Sequence, residues 1–298
     1  MIAVHIQDGR VEIRRKPIPK PARGHALIRL LTGGICNTDL ELVRGYYGFR
    51  GTPGHEFVGE VVEAEQSQWV GKRVVGGINL ACGSCSWCRR GLERHCPRRT
   101  VLGIVKHPGV FAEYFTLPVR NLRAVPKSLP NDAAVFAEPV AAACEILEQV
   151  KIPRGVQVAL LGYGKLGRLI QQVLAAHGCR VRVFGREPAR RGRYRWVVEA
   201  TGAAEGLNQA VAMTEPRGTV ILKSTIHGPV PLDAAAVVVN EITLVGSRCG
   251  RLDPALALLS KGRIRTEGLI SARYPLAEAP AAFAHAARRG VLKVLLEA

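Results

Sequence analysis

Apolar and polar positions alternate in short runs through the opening part of the chain. Ala3-Val4-His5-Ile6, Val11-Glu12-Ile13 and Ala26-Leu27-Ile28-Arg29-Leu30 repeat with a period near two, and Pro17, Pro19, Pro21 and Gly24 punctuate them. Period-two runs between turn residues predict β-strands. The runs at 57–64, 71–77 and 110–118 predict more short strands of a barrel or sandwich. The period then changes. Residues 131–150 read as helix, with Asn131 or Asp132 near its cap and Pro139 as a break or helix start. From Val156 the pattern is a buried strand, a glycine-rich turn and a helix closed by Gly178. Further strands follow at Arg180–Phe184, Arg195–Thr201, Gly218–Thr225 and Ile242–Ser247, with helices between. The tail is a helix, a stop at Gly290 and a final strand. No internal repeat and no low-complexity linker interrupts this order.

The change of period divides the chain. A strand-rich domain is expected at 1–150, a parallel α/β domain at 151–267, and a C-terminal segment at 268–298. The length of 298 residues suits two domains. No apolar run is long enough for a membrane span, and the first ten residues carry no signal-peptide pattern. The cytoplasm is the expected compartment. Apolar residues make up 47 % of the chain, which excludes a disordered protein.

The glycine-rich turn is Gly162-Tyr163-Gly164-Lys165-Leu166-Gly167. It follows a strand and opens a helix, the context that makes G-x-G-x-x-G a dinucleotide fingerprint. Gly162 makes the tight turn. Gly164 lets a pyrophosphate approach, and Gly167 lets the helix pack close to the strand. Lys165 and Leu166 complete the cofactor-binding set, and the helix N-terminus receives the phosphate. After the next strand, an NAD-selective site wants Asp or Glu for the ribose 2′-hydroxyl. Here Gly185, Arg186, Arg190 and Arg191 follow instead. Guanidinium groups suit a 2′-phosphate, so NADP is favoured over NAD. About a dozen residues then lead to the following strand, too few for a crossover helix and another strand. The Rossmann sheet is therefore expected to be trimmed, lacking its third strand and that strand's helix.

Eight cysteines in a chain of this type point to metal ligation more than to a disulfide scaffold. Cys82, Cys85, Cys88 and Cys96 are spaced C-x2-C-x2-C-x7-C, which suits a closed tetrahedral structural zinc site. Cys36 and His55 are ligands for a borderline-soft metal, on two loops that would have to meet. Thr38 and Asp39 could add a hydroxyl and a supporting carboxylate. Glu138, in a very apolar setting, needs a partner such as a metal or backbone amides. The formal net charge is +18, from 42 Lys and Arg against 24 Asp and Glu. That balance would attract polyanions, yet aromatics are scarce and not interleaved with basic residues, which argues against nucleic acid as a partner.

In order, the motifs G-G-I-C-N-T-D, G-H-E-F-V-G-E, the four-cysteine lobe, A-E-P, G-Y-G-K-L-G, E-A-T-G and G-V-L-K-V-L-L resemble the zinc-type medium-chain alcohol dehydrogenase family. The resemblance spans nearly the whole chain. It implies an α/β protein: a GroES-like β-barrel catalytic domain with a structural-zinc lobe at 80–100, plus a Rossmann domain. It implies hydride transfer between an alcohol and an aldehyde or ketone, with NAD(P) and both catalytic and structural Zn²⁺. Cys36 and His55 correspond to catalytic zinc ligands, with Glu138 or Glu56 as the third. Thr38 corresponds to the hydroxyl that passes the substrate proton, and Glu60 to a carboxylate behind the metal. Lys293 corresponds to a basic residue reaching the cofactor phosphates. Thr201-Gly202, Ser224-Thr225 and Ser247-Arg248 correspond to segments lining the nicotinamide half. The strand at Ile242–Val245 resembles the one that pairs across the family's dimer interface, so a homodimer or homotetramer is expected. Glu41 stands where many members have the histidine that ends the proton relay. The competing readings are a non-catalytic NADP-binding relative, a basic zinc-containing nucleic-acid-binding protein and a zinc-free quinone reductase relative.

Overall fold

Strand His25–Ile35 is the spine of the first half of the protein. Its buried positions form an almost unbroken apolar run, because strands pair with it on both edges. The architecture comes from a computed structural model that describes residues 1–185, 193–226 and 228–298. In chain order the elements are β1 (Ile2–Gln7), β2 (Arg10–Arg15), β3 (His25–Ile35), α1 (Asn37–Val43), β4 (Glu56–Ala64), β5 (Arg73–Gly76), β6 (Asn79–Leu80), α2 (Ser86–Arg89), β7 (Thr100–Leu102), β8 (Lys106–His107), β9 (Tyr114–Pro118), β10 (Leu122–Ala124) and α3 (Asn131–Ala134). Then come α4 (Ala137–Gln149), β11 (Gln157–Leu161), α5 (Lys165–His177), β12 (Arg180–Phe184), β13 (Tyr194–Glu199), α6 (Gly206–Met213), β14 (Thr214–Leu222), α7 (Ala234–Val239), β15 (Thr243–Gly246) and α8 (Leu252–Ser260). The chain closes with β16 (Ile270–Pro275), α9 (Ala279–Ala286) and β17 (Lys293–Glu297).

The chain divides into two compact units: Met1–Glu138 with Thr266–Ala298, and Pro139–Arg265. The first boundary falls in the first turn of α4, between Glu138 and Pro139, not after the helix as expected from the sequence. The reason is visible in contacts. Lys223 Nζ donates to Ala142 O, and Arg251 pairs with Glu148, so α4 is tied to the second unit.

In the first unit the principal sheet runs β10-β5-β4-β3-β17-β16, with β9 also on β3. The C-terminal strand β17 lies antiparallel to β3, with Val294 opposite Ile35. Phe111 is fully buried and stacks edge-on to Phe283 at 6.1 Å, joining the N-terminal and C-terminal parts of this core. Glycine at 34 leaves room for the Glu56 carboxylate, because a Cβ there would lie 2.8 Å from Glu56 Oε2 and displace it.

In the second unit five parallel strands are ordered β12-β11-β13-β14-β15. This is the doubly-wound order without its third strand among the described residues, as the short connection predicts. β12 is left as an edge. Its Arg180 and Arg182 are wholly or partly solvent-facing charges of the kind that discourages edge-to-edge pairing. The core under the sheet includes Val197, Val211, Met213 and Val220. Among the described residues no helix is long and apolar enough to cross a membrane.

Candidate metal centres and nucleotide edge

Cys36 ends β3 and caps α1. Its backbone N–H donates to Asp39 Oδ2 at 2.8 Å, and Asp39 occupies the third position of the helix, forming a capping box. Asp39 is fully buried. Its other oxygen, Oδ1, accepts from Gly54 N–H at 3.1 Å and lies 3.6 Å from His55 Nδ1. One carboxylate thus ties the loop that carries Cys36 to the loop that carries His55. Ligand atoms of Cys36, His55 and Glu56 all lie within 4.8 Å of one another. Sulfur, nitrogen and oxygen donors at that separation fit a zinc ion with ligand distances of about 2.0–2.3 Å. His55 Nδ1 is turned to Asp39 Oδ1, the arrangement in which a carboxylate orients the ring and leaves Nε2 for an ion. Burial opposes charge on the His55 ring, but Asp39 and then Cys36 outweigh it and hold its pKa well above the usual histidine range.

The third member of the group is Glu56, and Glu138 lies outside it among the described residues. Glu56 also receives the Lys293 ammonium. This corrects the expectation that Lys293 reaches toward cofactor phosphates. Its position at the start of β17, beside β3, turns it inward, where it is 5 % exposed and sits 5.7 Å from the centre of the Phe136 ring. Burial would lower its pKa, but Glu56 carries it above the usual lysine value. Breaking such a buried pair costs about 3–5 kcal/mol, because it strands a charge.

Thr38 Oγ1 is 3.8 Å from Cys36 Sγ. Glu41 instead pairs with Arg44 at 2.6 Å, one turn along the same helix, which takes it away from a relay with Thr38. Glu60 is not behind the centre either. It faces outward on β4 and pairs with Arg29 at 2.6 Å. Asp39 supplies the supporting carboxylate.

The cysteine lobe is closed. Its sulfurs are separated by 3.9 Å (Cys82–Cys88), 3.5 Å (Cys85–Cys88), 3.7 Å (Cys85–Cys96) and 3.6 Å (Cys96–Cys82). A tetrahedron of Zn–S bonds near 2.3 Å has edges of about 3.8 Å, so all four fit one ion. Backbone N–H groups of Ser84 and Cys85 bring the Cys82 pKa down to about 5, while burial first and then Cys85 push Cys88 up to about 11.

In the second unit Gly162 has φ +92°, and a Cβ on it would strike Ala200. A Cβ on Gly167 would strike Gly162 O. Gly164 caps α5 and has open space over its Cα, so backbone there is available to a close-lying phosphate. Lys165 and Leu166 occupy the first turn of α5. Arg186 and Arg190 lie outside the described residues.

At the carboxyl ends of β13 and β14 the sequence reading missed two buried charges. Glu199 Oε1 accepts from Thr201 N–H (2.7 Å), Thr201 Oγ1–H (2.6 Å) and Ser224 Oγ–H (2.9 Å). Ser224 Oγ in turn accepts from Gly202 N–H at 2.8 Å. Lys223 Nζ donates to Ala142 O (2.7 Å), Arg248 O (2.8 Å) and Ser247 Oγ (3.3 Å). Thr201, Gly202, Ser224 and Arg248 are thus held by these two side chains, while Thr225 follows exposed. The signal was a charged residue closing each apolar run, W-V-V-E and V-I-L-K.

The lobe yields a prediction. In chelator-treated protein at pH 6.5, iodoacetamide labels Cys82 first and Cys88 last, as read by peptide mass spectrometry. Zinc addition before labelling protects both. Equal labelling of the two would contradict the pKa ordering.

Residues 22–127 match the model of the alcohol dehydrogenase GroES-like domain. The sorbitol dehydrogenase of Halalkalibacterium halodurans is 26 % identical, over 97 % of this chain and 96 % of that protein. That alignment runs over 330 positions against 298 residues here, as expected where this chain is the shorter. Among solved structures, alcohol dehydrogenase TADH from Thermus sp. ATN1 is 29 % identical with a TM-score of 0.90, covering 100 % of this chain and 99 % of its own. An NADP-bound dehydrogenase from Sinorhizobium meliloti 1021 is 27 % identical with a TM-score of 0.90, over 100 % and 99 %. Residues 22–127 thus carry an alcohol dehydrogenase GroES-like domain, and over nearly its whole length the chain is similar to zinc-type medium-chain alcohol and polyol dehydrogenases.

Proposed function

We propose that the protein is a zinc-dependent oxidoreductase that moves a hydride between an alcohol or polyol and a nicotinamide cofactor. One observation carries the reading: a thiol, an imidazole and a carboxylate converge within 4.8 Å, on loops tied by a buried aspartate. Cys36, His55 and Glu56 would hold the ion. Bound there, zinc supplies the Lewis acidity that lets an alcohol proton leave near neutral pH. Asp39 fixes the orientation of both ligand loops. Thr38 offers the hydroxyl that passes the proton outward. Lys293 holds Glu56 in place and balances its charge. Gly162, Gly164 and Gly167, at the start of α5, offer the dinucleotide its pyrophosphate seat, and Glu199 and Lys223 keep the neighbouring loops in register.

NADP over NAD rests on Arg186 and Arg190 standing where an acid would select NAD. The Cys82–Cys96 lobe would hold a second, structural zinc. The eight cysteines form no disulfide, which supports residence in a reducing compartment such as the cytoplasm. A homodimer or homotetramer is supported by β15, an unpaired sheet edge, and by Val238 and Val239, which are 73 % and 80 % exposed on the adjoining α7.

Two outcomes test this reading. Cys36→Ser should cut turnover of a polyol by at least about a thousandfold, with the fold retained by circular dichroism and one zinc fewer per chain; full turnover would rule out the assignment. Glu199→Ala should weaken NADPH binding about tenfold in a fluorescence titration, whereas Glu199→Gln, whose amide oxygen still accepts hydrogen bonds, should lose less. Equal losses in the two variants would show that the acceptor oxygen is not what matters.

A further inference from the structure

A cavity of about 460 Å³ lies in the first unit between the segments 47–52 and 104–108, with Lys16 in its lining. Its charged lining is entirely basic: Lys16, Arg50 and Lys106, with no carboxylate. Lys16 is half-buried, and its Nζ donates to Thr52 Oγ1 at 2.9 Å. Burial and then Arg14 both lower its pKa, and no acid offsets them. A half-buried ammonium with only a hydroxyl for a partner is costly. Arg50 is already paired with Asp8 at 2.7 Å and exposed, so it contributes at the rim. His107 Nδ1 lies 2.7 Å from Pro108 O and burial lowers the ring's pKa, so near neutral pH it is an uncharged wall and the ammonium groups of Lys16 and Lys106 carry the attraction. Tyr47 and Lys106 hold left-handed backbone, with φ of 58° and 50°. Non-glycine residues in that conformation gather where a ligand is clamped.

From this arrangement we infer that the cavity binds an anionic oxygen group, a carboxylate or a phosphate. The walls place it near the metal-ligand cluster. Thr52 is three residues before His55, so their Cα atoms lie within about 11 Å. The opposite wall is stapled to the same stretch: Gly109 N–H donates to Thr52 O at 2.7 Å, Val110 N–H to Gly54 O at 3.1 Å and Phe111 N–H to Pro53 O at 3.1 Å. The cavity wall and the cluster therefore share one stretch of backbone, Thr52 to His55, and a substrate held at the cluster can extend an anionic end toward the cavity. The substrate class is then a polyol or hydroxy acid with a charged far end, such as an aldonate or a sugar-alcohol phosphate. That assignment of source rests on Cys36, His55 and Glu56 being the reacting centre; the anion site itself does not.

Calorimetric titration with inorganic phosphate at constant ionic strength tests the site. One phosphate should bind saturably to the holoprotein. Lys16→Gln and, separately, the exposed Lys106→Gln should each weaken it about tenfold, while Lys72→Gln, whose ammonium lies over Trp69, should not. Absence of saturable binding, or binding untouched by both cavity variants, overturns the inference. Turnover then separates the sources. If the anion belongs to the substrate, Lys16→Gln raises KM for an aldonate or hexitol phosphate about tenfold and leaves KM for the neutral hexitol and kcat unchanged. If phosphate binding falls in the variant but neither KM moves, the site serves a free anion. No turnover of any alcohol beside intact, Lys16-dependent phosphate binding would refute the proposed chemistry while the anion site stood.

Discussion

The first unit depends on a single buried carboxylate. Asp39 accepts hydrogen bonds from the backbone of Cys36 and of Gly54, residues at opposite ends of the segment that joins β3 to β4. An ionised group with no exposure survives only when its oxygens are satisfied. The need to satisfy Asp39 is therefore also what draws the thiol and the imidazole together. The second charge balance lies directly behind. Glu56, at the start of β4, faces Lys293, which arrives on the last strand, so the C-terminal segment completes a charge pair beside the end of β3. The Cys36, His55 and Glu56 cluster is assembled from parts of the chain that no local propensity could bring together.

Much of this could be read in advance, and the reasons differ by element. The cysteine lobe was legible because its four ligands lie within a short span, where spacing alone limits the geometry. The trimmed sheet was legible because a parallel strand needs a crossover, and the residues after β12 are too few to make one. The buried strands β11 and β13 declared themselves as apolar runs. Lys293, Glu60 and Glu41 were less legible. A lysine at the start of a strand can face either way, and only the pairing of β17 with β3, between residues 258 apart, turns it inward. Glu60 and Glu41 found arginines at the surface, partners that pattern does not announce.

The second unit replaces some of what it has lost in backbone with side-chain bonding. Among the described residues no third strand follows and the sheet ends at β12, whose edge carries arginines, with Arg182 lying over the Phe184 ring at 5.2 Å. The functional edge lies elsewhere, at the carboxyl ends of β13 and β14. There Glu199 and Lys223 gather the loops after three strands into fixed positions. Trimming an outer strand is compatible with retained nucleotide binding because this edge is built around the central strands.

The central claim is that Asp39 presents Cys36, His55 and Glu56 to one shared ion, distinct from the ion of the cysteine lobe. Zinc K-edge absorption on the protein, combined with elemental analysis, tests it most directly. The account predicts two zinc ions per chain, with sulfur neighbours at about 2.3 Å and a separate shell of nitrogen and oxygen neighbours at about 2.0–2.2 Å. A single zinc per chain surrounded by sulfur alone would contradict it.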